Sequence, residues 1–136
     1  SLEETQENIK YVITAQETVI HYATPFDEIR HVLERLREKY KLYLLSNTTY
    51  FEAQVIEKWG FSEYFEKQFL SFETGKLKPN KDAFEHAIKD IGIDAKDCVF
   101  VDDTARNCET AQKLGMTVYQ FNDTAEFETF LQENRL

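Results

Sequence analysis

Cysteine, proline, glycine and tryptophan are scarce in this chain: two, two, four and one among 136 residues. The two cysteines, Cys98 and Cys108, form no C-x-x-C pair, so a disulfide scaffold is excluded and both read as reduced, buried thiols of a cytosolic protein. No apolar run approaches the roughly 20 residues that span a bilayer, and no stretch has the pattern of a secretory leader. Positive charge is short as well. Lys and Arg number 16 against 25 Asp and Glu, a net charge of −9, which argues against nucleic acid or an anionic membrane as partner. No repeat or low-complexity segment occurs. What is abundant is apolar matter: 42% of the residues, with 14% aromatic, enough for one core without staples and too much for disorder.

Periodicity predicts an alternation of helices and strands. Ile29, Val32, Leu33 and Leu36 form a helical stripe over residues 26–38. Leu42 to Leu45 reads as a buried strand ending at Ser46-Asn47. A helix over 50–59 is closed by Gly60, and Phe69 to Phe72 reads as a short strand. Gly75 and Pro79 mark a loop, and Asn80 is placed to cap a helix bearing Phe84, Ala87, Ile88 and Ile91 that stops at Gly92. A strand at Val99–Val101, a helix from Arg106 to about Gly115 and a strand over 117–121 follow. Asp123 and Glu126 match a capping box for a last helix with Phe127, Phe130 and Leu131 inward. Such alternation over residues 26–136 predicts a parallel sheet covered on both faces.

The most informative stretch is Cys98-Val99-Phe100-Val101-Asp102-Asp103-Thr104, an apolar run that stops at two adjacent carboxylates. In open α/β sheets the carboxyl ends of strands are where ligands bind. Two like charges side by side cost stability unless a cation offsets them. Ser46 just past one strand, Lys78 before a helix and Asp102/Asp103 at another strand end all fall on one edge of the sheet. A hydroxyl, an ammonium and a carboxylate pair are the parts needed to hold a phosphate and its magnesium ion.

Leu44-Leu45-Ser46-Asn47-Thr48, Gly75-Lys76-Leu77-Lys78-Pro79 and Val99-Phe100-Val101-Asp102-Asp103-Thr104 followed by Asn107 resemble, in order and spacing, three motifs of the haloacid dehalogenase-like hydrolases, closest to their phosphatase branch. The resemblance covers about residues 25–121. It implies a Rossmann-like three-layer sandwich with a parallel sheet, and hydrolysis of a small phosphate ester with Mg2+. It also implies roles. Ser46 and Asn47 would bind the phosphoryl group, and Lys78 would steady phosphate and nucleophile. Asp102 and Asp103 would organise the magnesium, with Thr104 and Asn107 in support.

The family's first motif, a strand followed by Asp-x-Asp whose first aspartate attacks phosphorus, has no counterpart here, because no Asp-x-Asp occurs in the sequence. Two readings of residues 1–24, ahead of a core over 25–136, compete. In the preferred one they are helical, the remnant of a cap in a truncated chain. Ser1 and Glu4 fit a capping box, no Gly or Pro interrupts residues 2–24, and Ile9, Val12, Ile13, Gln16, Val19, Ile20 and Ala23 share one helical face. In the other, residues 9–14 are the central strand, and Ala15 and Glu17 stand where the aspartates would be. The helix is preferred because a strand exit through Ala15-Gln16-Glu17-Thr18 lacks turn residues. It leaves a gap in the sheet that invites self-association or strand swapping. By either reading the chain alone is expected to be inactive. A non-catalytic phosphate-binding module and a dehalogenase are the rival functions. A receiver domain is disfavoured, since its acidic pair leads and its lysine comes last.

Overall fold

The computed structural model describes residues 9–14 and 26–136, with only the backbone of Phe26 and Asp27. Five parallel strands form one sheet: β1 (Tyr11–Thr14), β2 (Lys41–Ser46), β3 (Lys67–Leu70), β4 (Cys98–Asp102) and β5 (Thr117–Gln120), in the order β3-β2-β1-β4-β5. The helices among the described residues are α1 (Phe26–Lys39), α2 (Tyr50–Lys58), α3 (Ser71–Thr74), α4 (Lys81–Ile91), α5 (Ala105–Lys113) and α6 (Thr124–Glu133).

Each face of the sheet has its own core. Leu42, Leu44, Val99 and Val101 pack with Ile29, Val32 and Leu36 of α1 and with Phe127 and Leu131 of α6. Tyr43, Leu45 and Phe100 point the other way, against Ala83, Phe84 and Ala87 of α4 and Ala111 of α5. Every residue of β4 is buried, as a strand covered on both faces requires. The three-layer Rossmann-like sandwich expected from the alternation is the fold observed.

The preferred helix over residues 9–20 is overturned where it can be compared. Tyr11–Thr14 is a strand, and it lies in the middle of the sheet. Tyr11 aligns with both Lys41 and Cys98, and Thr14 with both Leu44 and Val101. The reason is tertiary. Without β1, the facing edges of β2 and β4 would carry unpaired backbone groups inside the protein. The β-branched run Val12-Ile13-Thr14 suits a pleat, and its side chains alternate between the cores, Val12 to one and Ile13 to the other. With β1 in place, the gap that suggested strand swapping is filled. Residues 1–8 and 15–25 lie outside the described part, and with them Ala15, Glu17 and the rest of the supposed cap helix.

Smaller differences have local causes. The third strand runs from Lys67 to Leu70 rather than from Phe69 to Phe72, because Ser71 starts a single helical turn. Its hydroxyl leaves the ladder to accept from Thr48 N–H at 2.8 Å and donate to Thr48 C=O at 3.1 Å. The box at α6 is half formed. Asp123 accepts from Glu126 N–H, but the Glu126 carboxylate takes a bond from Asn122 instead. Helix α2 carries a complete capping box, Thr49 with Glu52, and ends at Trp59, with Gly60 in the left-handed region at φ 79°.

Candidate active site

The chain winds outward from β1 through β2 to β3, then crosses back to build β4 and β5 on the other side of β1. The reversal puts a topological switch point beside β1, the place where open α/β sheets hold their ligands. Ser46 ends β2 and Asp102 ends β4, the strands flanking β1. At one strand spacing on each side, their backbones are about 10 Å apart. Lys78 lies in the crossover segment between β3 and α4.

Asp102 is fully buried. Its Oδ2 accepts from Lys78 Nζ at 2.8 Å and from Asn107 Nδ2 at 3.0 Å, and its Oδ1 accepts from Thr104 N–H at 2.9 Å. Lys78 is 4% exposed, and its ammonium also lies 6.0 Å from the Phe100 ring centre. A charge pair so desolvated holds only with good geometry and further hydrogen bonds, and here it has both. Lys78 is held in turn by Asn47, whose Oδ1 accepts from Lys78 N–H and whose Nδ2 donates to Lys78 C=O, each at 2.9 Å. The Lys78–Pro79 peptide is cis, and Thr110 of α5 donates its hydroxyl to Pro79 C=O at 2.9 Å. Residues 47, 78, 102 and 107, spread over three segments, thus form one continuous network. Ser46, buried at the end of β2, adjoins it through the chain.

Asp103 stands beside this network and outside the ion pair. Burial raises its carboxyl above the ordinary range. The hydrogen bond and charge of Asp102 add to the shift, while a bond from Thr104 works against it. This is excess negative charge that a bound cation would relieve. Among the described residues no cluster of three or more His, Cys, Asp or Glu side chains could enclose a metal. Two adjacent carboxylates, completed by waters and phosphate oxygens, are nonetheless a donor set magnesium takes. Asp102 and Asp103 fit it. When bound there, the ion would supply neutralising charge to phosphate oxygens.

The sequence did not reveal the bracing around the site. The Thr48–Ser71 clamp and the Thr110 bond to Pro79 join residues 23 and 31 positions apart, and no local pattern announces them. The Thr49-x-x-Glu52 box could have been read directly. Tyr50, Phe51 and Trp59 are exposed. His31 and His86 take no part; His86 lies edge-on against Phe69.

The fold and the sequence have counterparts among known proteins. The family model of haloacid dehalogenase-like hydrolases matches residues 2–115. The D-ribitol-5-phosphate phosphatase of Bacteroides thetaiotaomicron is 31% identical over 103 residues, 68% of this chain and 48% of that protein. A sesquiterpene phosphatase of Aspergillus oryzae is 34% identical over 62 residues, 46% of this chain and 32% of that one. The chain therefore spans about half or less of the length of these curated relatives. A crystal structure of a haloacid dehalogenase family enzyme from Bacteroides thetaiotaomicron, a magnesium complex, superposes with a TM-score of 0.72. It is 34% identical, over 78% of this chain and 57% of that one.

Proposed function

Because the chain belongs to the haloacid dehalogenase-like hydrolases, we propose that the protein it represents is a magnesium-dependent phosphatase of small phosphate esters, and that this chain carries the phosphate- and cation-binding part of its site. The observation that carries the proposal is the buried network from Asn47 through Lys78 and Asp102 to Asn107. An ammonium held in place by a carboxylate at a strand end is a pre-oriented donor, neutralised by Asp102 until an anion takes a share of its charge. Ser46 and Asn47 would take phosphate oxygens, Lys78 would offset their charge, and Asp102 with Asp103 would hold Mg2+. Thr104 and Asn107 fix the rotamer of Asp102 through bonds to its two oxygens. The phosphatases among the relatives act, by their names, on phosphates of unlike organic bodies, which supports a shared phosphate site more than a shared substrate.

The attacking aspartate of an aspartyl-phosphate route is not supplied by an Asp-x-Asp in this sequence. The chain alone should therefore bind phosphate without turning esters over. Calorimetry with inorganic phosphate and Mg2+ tests the binding: heat that is lost in Lys78→Ala supports the proposal, and the absence of heat refutes it. An assay with a generic ester tests the rest. Turnover by the chain alone, abolished by Asp102→Ala, would refute the missing nucleophile. Binding without turnover, also in a longer gene product, would favour a non-catalytic phosphate-binding module.

A further inference from the structure

Three rings stand in water next to this site. Tyr50, the first residue of α2, is 55% exposed, Phe51 76% and Phe72 43%. Their spacing is not random. Tyr50 meets Phe51 at 5.9 Å between ring centres and Phe72 at 5.8 Å, both edge to face, as aromatic pairs prefer. Tyr50 follows Ser46 by four residues, so its backbone lies within about 14 Å of the candidate phosphate site. The Thr48–Ser71 clamp ties the segment carrying Ser46 and Asn47 to the turn carrying Phe72. Tyr50 and Phe72 also border a groove of about 470 Å³ between α2 and the edge strand β3, which away from the rings is polar, with Gln54, Glu57, Lys67 and Gln68 on its walls.

The polar side chains beside the rings are already engaged with one another. Thr48 Oγ1 and Thr49 N–H both donate to Glu52, Thr49 Oγ1 accepts from Glu52 N–H, and Ser71 is held by Thr48. Those four residues turn their polar groups to one another, and an apolar body laid on the ring cluster would remove three rings from water. The geometry points to a substrate class: phosphate esters of an apolar organic group, with phosphate in the Ser46–Lys78 site and the group against Tyr50, Phe51 and Phe72. The inference rests on the proposed phosphate site and names what that site selects.

The test is calorimetry on the chain with Mg2+, using inorganic phosphate, glycerol phosphate, phenyl phosphate and octyl phosphate as probes. Octyl and phenyl phosphate are expected to bind about tenfold or more tightly than glycerol phosphate. The preference should shrink toward unity in Phe72→Ser and Tyr50→Ser, whose rings are exposed and dispensable to the core. If inorganic phosphate binds but the four probes rank alike, this inference is overturned and the phosphate site stands. If the preference survives both substitutions, the rings are not its source and the inference is again overturned. If no probe binds, the phosphate site falls and this inference with it.

Discussion

Asn47 grips both backbone polar groups of Lys78 at once, receiving its N–H and donating to its C=O at 2.9 Å each. A side-chain amide acting this way behaves like a neighbouring strand, and it fixes the residue that carries the site's positive charge. Lys78 is buried, so the cost of losing the pair falls on a peptide withdrawn from water. Asn47→Ala should destabilise the protein by about 1–3 kcal/mol in urea unfolding. Phosphate affinity should fall as well. Unchanged stability would mean that water replaces the amide.

The Lys78–Asp102 pair makes a sharper prediction, because both side chains are almost wholly withdrawn from water. Removing one partner leaves the other charged and buried. Lys78→Met should cost about 3–5 kcal/mol, the range for breaking a buried pair. Adding Asp102→Asn to Lys78→Met should recover part of the loss, since the orphaned charge goes with it. A double-mutant cycle by denaturant unfolding measures this. If the double variant is less stable than Lys78→Met, the orphaned carboxylate is not what makes the single substitution costly.

The fold and the site were legible in the sequence to different depths. Wherever a stripe or run buries itself against a neighbour, pattern was enough: β4 falls within a residue of Val99–Val101 at each end, and α4 lies between the Asn80 cap and Gly92. The site motifs were legible because each sits at a strand or helix end, where the local pattern breaks. Residues 11–14 mislead because Ile9, Val12 and Ile13 satisfy helical spacing as well as alternation. The choice is made by β2 and β4, which need a partner between them and are distant in sequence. The pairing of Lys78 with Asp102 is hidden for a related reason. Local pattern offers a lysine for phosphate and an aspartate for metal, but not that the two neutralise each other first.

Cys98 and Cys108 offer a check on the core beneath the site. Burial pushes the Cys98 thiol up to about 12 and that of Cys108 up to about 11, and nearby carboxylates add to both shifts. A thiol with so high a pKa holds almost no thiolate at pH 8, and both are buried. Neither should react with Ellman's reagent in the native protein, and both should react at once in denaturant. Fast native reaction of one thiol would show that the β4–α5 layer opens more readily than its packing implies.

Asp103 is where pH dependence and the proposed magnesium site meet. Its carboxyl is raised in the folded state by burial first and by the bond and charge of Asp102 next. The folded protein therefore holds this proton more tightly than the unfolded chain. Below the ordinary carboxylate pKa, about 3.9, both states are protonated and the group's contribution to folding is intact. That contribution is lost as pH rises from there through the raised folded value, so at pH 7 the ionised group is a net cost. Asp103→Asn removes the titration. Because Asp103 is partly open to solvent, the gain in Tm at pH 7 should be small, and it should vanish near pH 3. Magnesium in the proposed site would act on the same excess charge. Millimolar Mg2+ should raise the Tm of the unsubstituted protein at pH 7 and should raise that of Asp103→Asn much less. Thermal melts at the two pH values, with and without the ion, decide the matter. An equal magnesium shift in both proteins would remove Asp103 from the cation site, and a gain that persists at pH 3 would mean its substitution acts through packing rather than charge.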